Sequence, residues 1–393
     1  MQFSLTEDQL MIRDAAREFL SGRADIARLR KQMATPEAHD AELWQAVSGE
    51  LGWTGLALPE SVGGSGLGMV ELALLLEETG RCLYGGPLLA SVGFAGGMLL
   101  EAPASETRDA LLARIASGEG VAALAVTDDT GRPGSVGVEL VDGSAGPALR
   151  GHASFVLNGN IADHFVVVAR DLRAARGGAD GGAAVGLALV AVDRGAAGLT
   201  VQSLTAMDLT RRYARLTFDA SAVTVLAEGA EGAAVVARGM QVAQVALAAE
   251  QLGAMQAVFE LTTGYTQQRV QFGRKIGSFQ AIKHRLADMM VVCEAARSAV
   301  YYAACVVDEH RAGTVGPGEL AEAAALVKVH CSAGFHDVAG NAIQLHGGIG
   351  FTWEYDAHLY FKRARATLDL LGAPQHHRER IATLIGLDAT EAT

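Results

Sequence analysis

The spacing of apolar and polar positions changes period twice along this 393-residue chain. Near the start, Thr6 with Gln9 three residues on forms a capping-box signature, and Leu10, Ala16, Phe19 and Leu20 follow as an apolar helical face. Leu51–Gly68 (LGWTGLALPESVGGSGLG) reads as a Gly/Pro-rich loop, followed by a helix over Met69–Gly80 and a helical stretch from Pro87 to about Ser117. Near Val121 the period shortens to two. Ala122–Val126 is a short apolar run, and in Tyr213–Phe218 the residues Ala214, Leu216 and Phe218 share one face, with Tyr213, Arg215 and Thr217 on the other. Phe155–Leu157, Phe165–Val168 and Leu187–Val192 are further strand candidates, while Arg173–Ala184 (RAARGGADGGAA) reads as a flexible surface loop. From about Ala230 the helical period returns, in Val235–Gln267, Ile282–Ala312 and Glu319–Gly347. The pattern predicts helices over residues 1–120, a β domain over 121–225 and a helical domain over 226–393.

Composition narrows the class. Half the residues are apolar and 19% charged, enough to bury a large core, and 47 are glycine. The formal charge of −12 and the lack of any long basic block argue against nucleic acid. Cys82, Cys293, Cys305 and Cys331 are scattered without a CxxC pair, which points away from a disulfide framework or zinc ribbon and toward a reducing compartment. The longest uncharged run, Cys82–Leu100, approaches the length of a membrane span, but Gly85-Gly86-Pro87 breaks it and Gly93, Gly96 and Gly97 thin it. It reads as a buried helix preceded by a turn. MQFSLTEDQLM lacks the apolar core of a signal peptide. A cytoplasmic protein without a membrane span is expected.

Two stretches carry candidate chemistry: Arg269–Gln280 (RVQFGRKIGSFQ) and Gln344–Phe351 (QLHGGIGF). A guanidinium is a planar fork suited to pyrophosphate, so Arg269 in a turn before Phe272-Gly273 can clamp one while the Phe ring packs on an aromatic edge. Gly347-Gly348 at a helix end lets backbone approach a ligand closely. The same residues also suit a helix–turn–helix with an exposed arginine and a glycine cap.

Taken in order with LGWTGLALPESVGGSGLG, these motifs resemble the acyl-CoA dehydrogenase family from residue 3 to about residue 387. The resemblance implies an α+β fold with an N-terminal helical domain, a middle β domain (barrel or sandwich) and a C-terminal four-helix bundle. It implies FAD, whose ADP half would be held by Arg269, Phe272, Gln280, Gln344, Gly347 and Gly348 reaching toward the flavin of a neighbouring subunit, with Gln375 a further contact. Ala373 replaces a threonine there. An acyl-CoA substrate, electron-transfer flavoprotein as electron acceptor and a homo- or hetero-tetramer built as a dimer of dimers are also implied. The family removes a proton α to a thioester with a glutamate and passes the β hydride to the flavin.

The departures are as informative. The two family base positions carry Leu371 and Ala243. Where the family shows TEPxxGSD, this chain has Thr127-Asp128-Asp129-Thr130-Gly131-Arg132-Pro133-Gly134, which keeps Thr127 and aligns no clear serine. Asn160–His164 directly follows Asn158-Gly159, as if a Trp-Ile-Thr-like strand were deleted. The half-site for the chain's own flavin is thus eroded, and the half-site offered to a neighbour is intact.

Three readings follow. The first is a dehydrogenase subunit that works with an unlike chain carrying the base, as in actinobacterial α2β2 enzymes of steroid side-chain breakdown. The second is a self-sufficient enzyme with a relocated base. Asp369 is two residues from the family position and is alternatively an exposed acid paired with Arg363 or Arg365. Glu250, seven residues after Ala243, is alternatively an interhelix contact. The third is a flavin monooxygenase or oxidase on the same fold, or a subunit without catalysis. His376-His377 point two ways from a helix and make a poor metal site. Arg211-Arg212 read as a solvated turn or as contacts to a CoA phosphate.

Overall fold

A computed structural model describes residues 4–144, 146–173 and 186–387, so part of the Arg173–Ala184 loop lies outside the described residues. The chain groups into two compact units. One comprises Met1–Lys31, Met69–Tyr84 and Gln244–Thr393, the other Gln32–Gly68 and Gly85–Ala243.

The helices are α1 (Glu7–Arg23), α2 (Ile26–Met33), α3 (Ala41–Gln45), α4 (Met69–Arg81), α5 (Gly97–Glu101), α6 (Glu106–Ser117), α7 (Gly229–Gln268), α8 (Gln280–Arg311), α9 (Pro317–His346), α10 (Ala357–Leu368) and α11 (Pro374–Leu384). The strands are β1 (Ala122–Ala125), β2 (Val138–Gly143), β3 (Gly146–Leu157), β4 (His164–Asp171), β5 (Gly186–Asp193), β6 (Leu199–Leu204), β7 (Tyr213–Ala222), β8 (Thr224–Ala227), β9 (Val270–Gln271) and β10 (Arg274–Lys275).

In the second unit, strands β1–β8 form one mixed sheet in the order β6-β7-β3-β2-β4-β5-β8, with β1 parallel to β4. Its core includes Leu140, Leu149, Phe165 and Val167, each fully buried. A phenylalanine withdrawn from water contributes about 1.5–3 kcal/mol. The β7 alternation holds for Ala214, Leu216 and Phe218. Tyr213 departs from it and is buried, because Leu157 of β3 and Leu204 of β6 flank it on both sides. The uncharged run is a buried π-helical segment, Leu89–Gly96, continuing into α5. Here the Ser91 hydroxyl accepts from the Ala122 amide at 3.0 Å. The expected single helical stretch to Ser117 is interrupted at residues 102–105, where Pro103 removes a donor and Ser105 caps α6.

In the first unit, Thr6 and Gln9 make the capping box reciprocally. Helix α4 meets the Gln244–Gln268 part of α7 at two glycines. A Cβ on Gly80 would stand 2.0 Å from Glu250 O, and one on Gly253 only 1.7 Å from Glu77 O. Helices α8, α10 and α11 pack around α9, which buries Leu320, Val327, Phe335 and Val338. Helices α7 and α8 are long and apolar enough to cross a bilayer by length and composition alone. In α7, 72% of that stretch is buried within the protein, as in a core helix.

Candidate functional site

The stretch after α7 folds as a hairpin. Arg269 N–H donates to Tyr265 O, and Ile276 N–H donates back to Arg269 O, both at 2.9 Å. β9 and β10 pair Val270 with Lys275 and Gln271 with Arg274, leaving Phe272 and Gly273 as a two-residue turn with φ of 54° and 76°. A left-handed phenylalanine costs roughly 1–2 kcal/mol. Its ring is 92% exposed and meets the Phe279 ring edge-on, at 6.2 Å between centroids. Arg269 and Gln280 are also exposed.

Helix α9 delivers the second motif. Gln344 is exposed on its last turn, Gly347 caps it at φ 62°, and a Cβ on Gly348 would meet open space. Tyr265, one turn before Arg269, donates to His346 O at 3.3 Å and stacks on the His346 ring at 4.4 Å, with Tyr355 closing the stack. The stems of the two motifs are thereby fixed to each other. Gln375, on the first turn of α11, is exposed. The Arg269, Gln280, Gln344 and Gln375 side chains leave hydrogen-bonding groups facing solvent from a single unit.

The loop between α10 and α11 is held from several helices. Leu371 takes φ 59°, outside the ordinary range for a bulky residue, and Gly372 follows at φ 109°. Leu371 O accepts from Gln244 Nε2 of α7 at 3.4 Å and from His377 Nε2 of α11 at 3.1 Å. Because a carbonyl only accepts, His377 carries its proton on Nε2, and the buried Nδ1 has no hydrogen-bond partner among the described residues. Burial pushes His377 down to about 4 despite that hydrogen bond. Leu368 O accepts from the Lys328 amine at 3.0 Å. Lys328 is fully buried, and burial pushes it down to about 7.

Of the acids considered as a relocated base, Asp369 is more than half exposed and pairs with Arg365 at 2.9 Å. Glu250 is buried and faces Arg363 at 3.6 Å, the interhelix contact. Ala243 is fully buried within α7. Lys328, Gln244 and Gln251 were absent from the sequence-derived candidates. A single lysine inside the apolar AAALVKVH run, with Ser332 four residues on, is the signal that would have flagged Lys328; Gln244 and Gln251 carried none.

In the sheet unit, Thr127 pairs through its backbone with Ser154, whose N–H donates to Thr127 O at 2.8 Å. Asp129 is taken up by this chain's own groups: the Ser154 hydroxyl, His152 at 3.1 Å and Arg215 at 3.0 Å. Arg211-Arg212 is not a solvated turn. Arg211 is buried, and Arg212 donates to Met33, Thr35, Pro36 and Leu209 carbonyls at 2.7–3.1 Å.

A helical, mixed-sheet, helical chain with these two motifs has the architecture of an FAD-dependent oxidoreductase. Family models for the acyl-CoA dehydrogenase N-terminal and C-terminal domains match residues 6–119 and 230–385. The chain is 34% identical over 376 residues to the acyl-CoA dehydrogenase IpdE2 of Mycobacterium tuberculosis, covering 95% of this chain and 96% of that one. Among solved structures, the Tcur3481-Tcur3483 steroid ACAD superposes at a TM-score of 0.83 with 30% identity over 98% of this chain and 99% of the other. The ChsE4-ChsE5 complex from Mycobacterium tuberculosis superposes at 0.85 with 26% identity over the same shares. The chain belongs to the acyl-CoA dehydrogenase family, and its cofactor is FAD.

Proposed function

We propose that this chain is the acyl-CoA dehydrogenase subunit that lends a flavin-binding surface to an unlike partner chain, while the partner supplies the catalytic carboxylate. The observation that carries this reading is the apolar pair Leu371 and Ala243 at both family base positions. The two acids considered as a relocated base are engaged elsewhere, Asp369 with Arg365 and Glu250 with Arg363, which supports this reading.

The residues suit the dinucleotide end of FAD. Phe272 presents a bare ring for stacking, Arg269 a guanidinium for pyrophosphate, and Gly348 a backbone that nothing crowds. Gln280, Gln344, Gly347 and Gln375 complete that set in this reading. The sheet side fits less well. Thr127 remains, but Asp129 is satisfied internally by Ser154, His152 and Arg215. When bound, the flavin accepts a hydride from the β carbon of an acyl-CoA thioester. This chain's part is to bind and orient the cofactor and to close the site against water; the α proton goes to a carboxylate of the other chain.

Two similar solved structures carry paired names, Tcur3481-Tcur3483 and ChsE4-ChsE5, which supports a hetero-oligomer; in this reading it is a dimer of dimers in the cytoplasm. The name of the first, a steroid ACAD, favours a bulky acyl group, in steroid side-chain rather than simple fatty-acid β-oxidation. Electron-transfer flavoprotein is the expected acceptor. The deciding experiment is purification of the tagged chain with and without co-expressed neighbouring acyl-CoA dehydrogenase chains, followed by flavin count and turnover. Activity that appears only with a partner, at one flavin per two chains, is the expected result. Strong turnover by the purified chain alone overturns the reading.

A further inference from the structure

We propose that Lys328 positions the Leu368–Gly372 loop as an uncharged amine, so that opening this loop takes up a proton.

The hydrogen-bond directions argue for the neutral form. Lys328 Nζ lies 2.8 Å from Ser332 Oγ and 3.0 Å from Leu368 O. Ser332 commits its own proton to Gln251 Oε1 at 3.0 Å, so its oxygen accepts from Lys328. Gln251 Nε2 in turn donates to Thr367 O and Oγ1, and Thr367 Oγ1 to Arg363 O. Two acceptors match the two N–H groups of a neutral amine. An ammonium would bring a third N–H and a buried charge, and no carboxylate lies within ion-pair distance of Nζ among the described residues.

Composition points the same way. Of 32 basic residues only five are lysine: Lys31, Lys275, Lys283, Lys328 and Lys362. Arginine cannot shed its proton in a protein and lysine can, and the single fully buried lysine stands where a neutral donor fits.

The titratable surroundings are few. Asp369 acts on Lys328 from the end of α10 and favours the charged form; Cys331 on α9 does the same more weakly. Burial holds Cys331 up at about 12, with Cys293 of α8 beside it. His377 of α11 is itself disfavoured from charging by Lys328. α7 presents Gln251, an uncharged amide. Burial outweighs the acid, and the amine titrates near 7 instead of near 10.5. Linkage then sets the sign. Between these two values the closed loop carries a neutral amine and the opened, hydrated loop a charged one, so opening becomes harder as pH rises through that window. Below about 7 both forms are charged and the dependence flattens.

The inference concerns a loop whose importance rests on reading Leu371 as the family's base position, but its test uses neither partner nor turnover. With only five lysines, the full chain labelled with ¹³C at lysine Cε gives five resolvable titrations. Replacement of Lys31, Lys275, Lys283 and Lys362 by arginine assigns the fifth. Lys328 is expected to titrate near 7, about three pH units below an ordinary lysine. Hydrogen exchange of a peptide spanning residues 366–375, corrected for intrinsic rates, should show protection rising from pH 7 to 9 by up to about tenfold per unit. Lys328→Met should exchange faster and lose that slope. Lys328 titrating near 10.5, a flat protection profile in the unmodified chain, or a slope retained in Lys328→Met each overturns the proposal. The titration needs no Lys328 variant, so a misfolded Lys328→Met leaves the test intact. Flavin stoichiometry that fails the partner reading leaves these two readouts unaffected.

Discussion

The Asp369 carboxylate stands 2.9 Å from the Arg365 guanidinium, one turn earlier on the same side of α10. Both side chains are about half exposed, so the pair contributes about 0–1 kcal/mol, and its main effect is to turn the acid toward solvent. Asp369→Asn is therefore expected to leave turnover of the assembled enzyme within about twofold, because the loss of a true general base costs roughly 10²–10⁴. Steady-state assay of the co-purified complex checks this, and a hundredfold loss would return Asp369 to the position of base.

Leu371 offers the converse test. Its backbone is held in the left-handed region by Gln244 and His377, and a glutamate there inherits the same clamp. Where an acyl-CoA binds at this chain's own eroded half-site, Leu371→Glu should raise exchange of its α proton by about 10²–10⁴ over the unmodified chain. Proton NMR in deuterated buffer reads this directly. A variant with intact flavin and no added exchange would show that position 371 does not face the thioester.

Much of this architecture was legible in the chain. The capping box at Thr6, the period-2 run in β7 and the long helices α7, α8 and α9 follow from local spacing, which is set by the backbone geometry of each element alone. Tyr213 was misplaced because burial on a central strand depends on two neighbours that are distant in sequence. Arg212 was misread because its carbonyl partners at residues 33–36 lie almost 180 positions away. The clamp on the Leu371 loop escaped for the same reason: Gln244, Lys328 and His377 come from three helices, and no window of sequence holds them together. Reading Leu371 and Ala243 as base positions rests on a family pattern, since a leucine and an alanine carry no signal of their own.

Phe272 is the clearest probe of the proposed flavin surface. Its ring is 92% exposed and its removal relieves a strained backbone position only if the replacement tolerates it, so Phe272→Ala should change folding stability by no more than about 0.5 kcal/mol. Flavin retention by the assembled complex should nevertheless drop. Absorbance at the flavin band after gel filtration, alongside thermal unfolding, separates the two effects. Full retention would argue that the hairpin does not touch the dinucleotide.

Gly253 tests the helix crossing in the first unit. A methyl group there would lie 1.7 Å from Glu77 O, against a backbone atom that cannot step aside. Gly253→Ala should cost more than about 3 kcal/mol, well beyond the usual benefit of alanine over glycine in a helix. Chemical denaturation of the unit's helical signal measures this. Unchanged stability would mean that α4 and α7 are farther apart than described.

His377 makes stability depend on pH. Burial holds its folded value at about 4, below the ordinary 6.5, so the unfolded chain binds the proton more readily. Stability from this residue is therefore fully present above about 6.5, declines as pH falls toward 4, and is lost below that. Other histidines with lowered values, His39, His346 and His358, add slopes of the same sign, so the variant must be compared with the unmodified chain. His377→Asn keeps a side-chain N–H for Leu371 O but does not titrate. The difference in denaturation midpoint between pH 7 and pH 5 should be smaller in His377→Asn than in the unmodified protein. Equal differences in the two proteins would mean that His377 is already charged at pH 5 in the folded chain, and that the Nε2 proton it gives Leu371 is not the mark of a neutral ring.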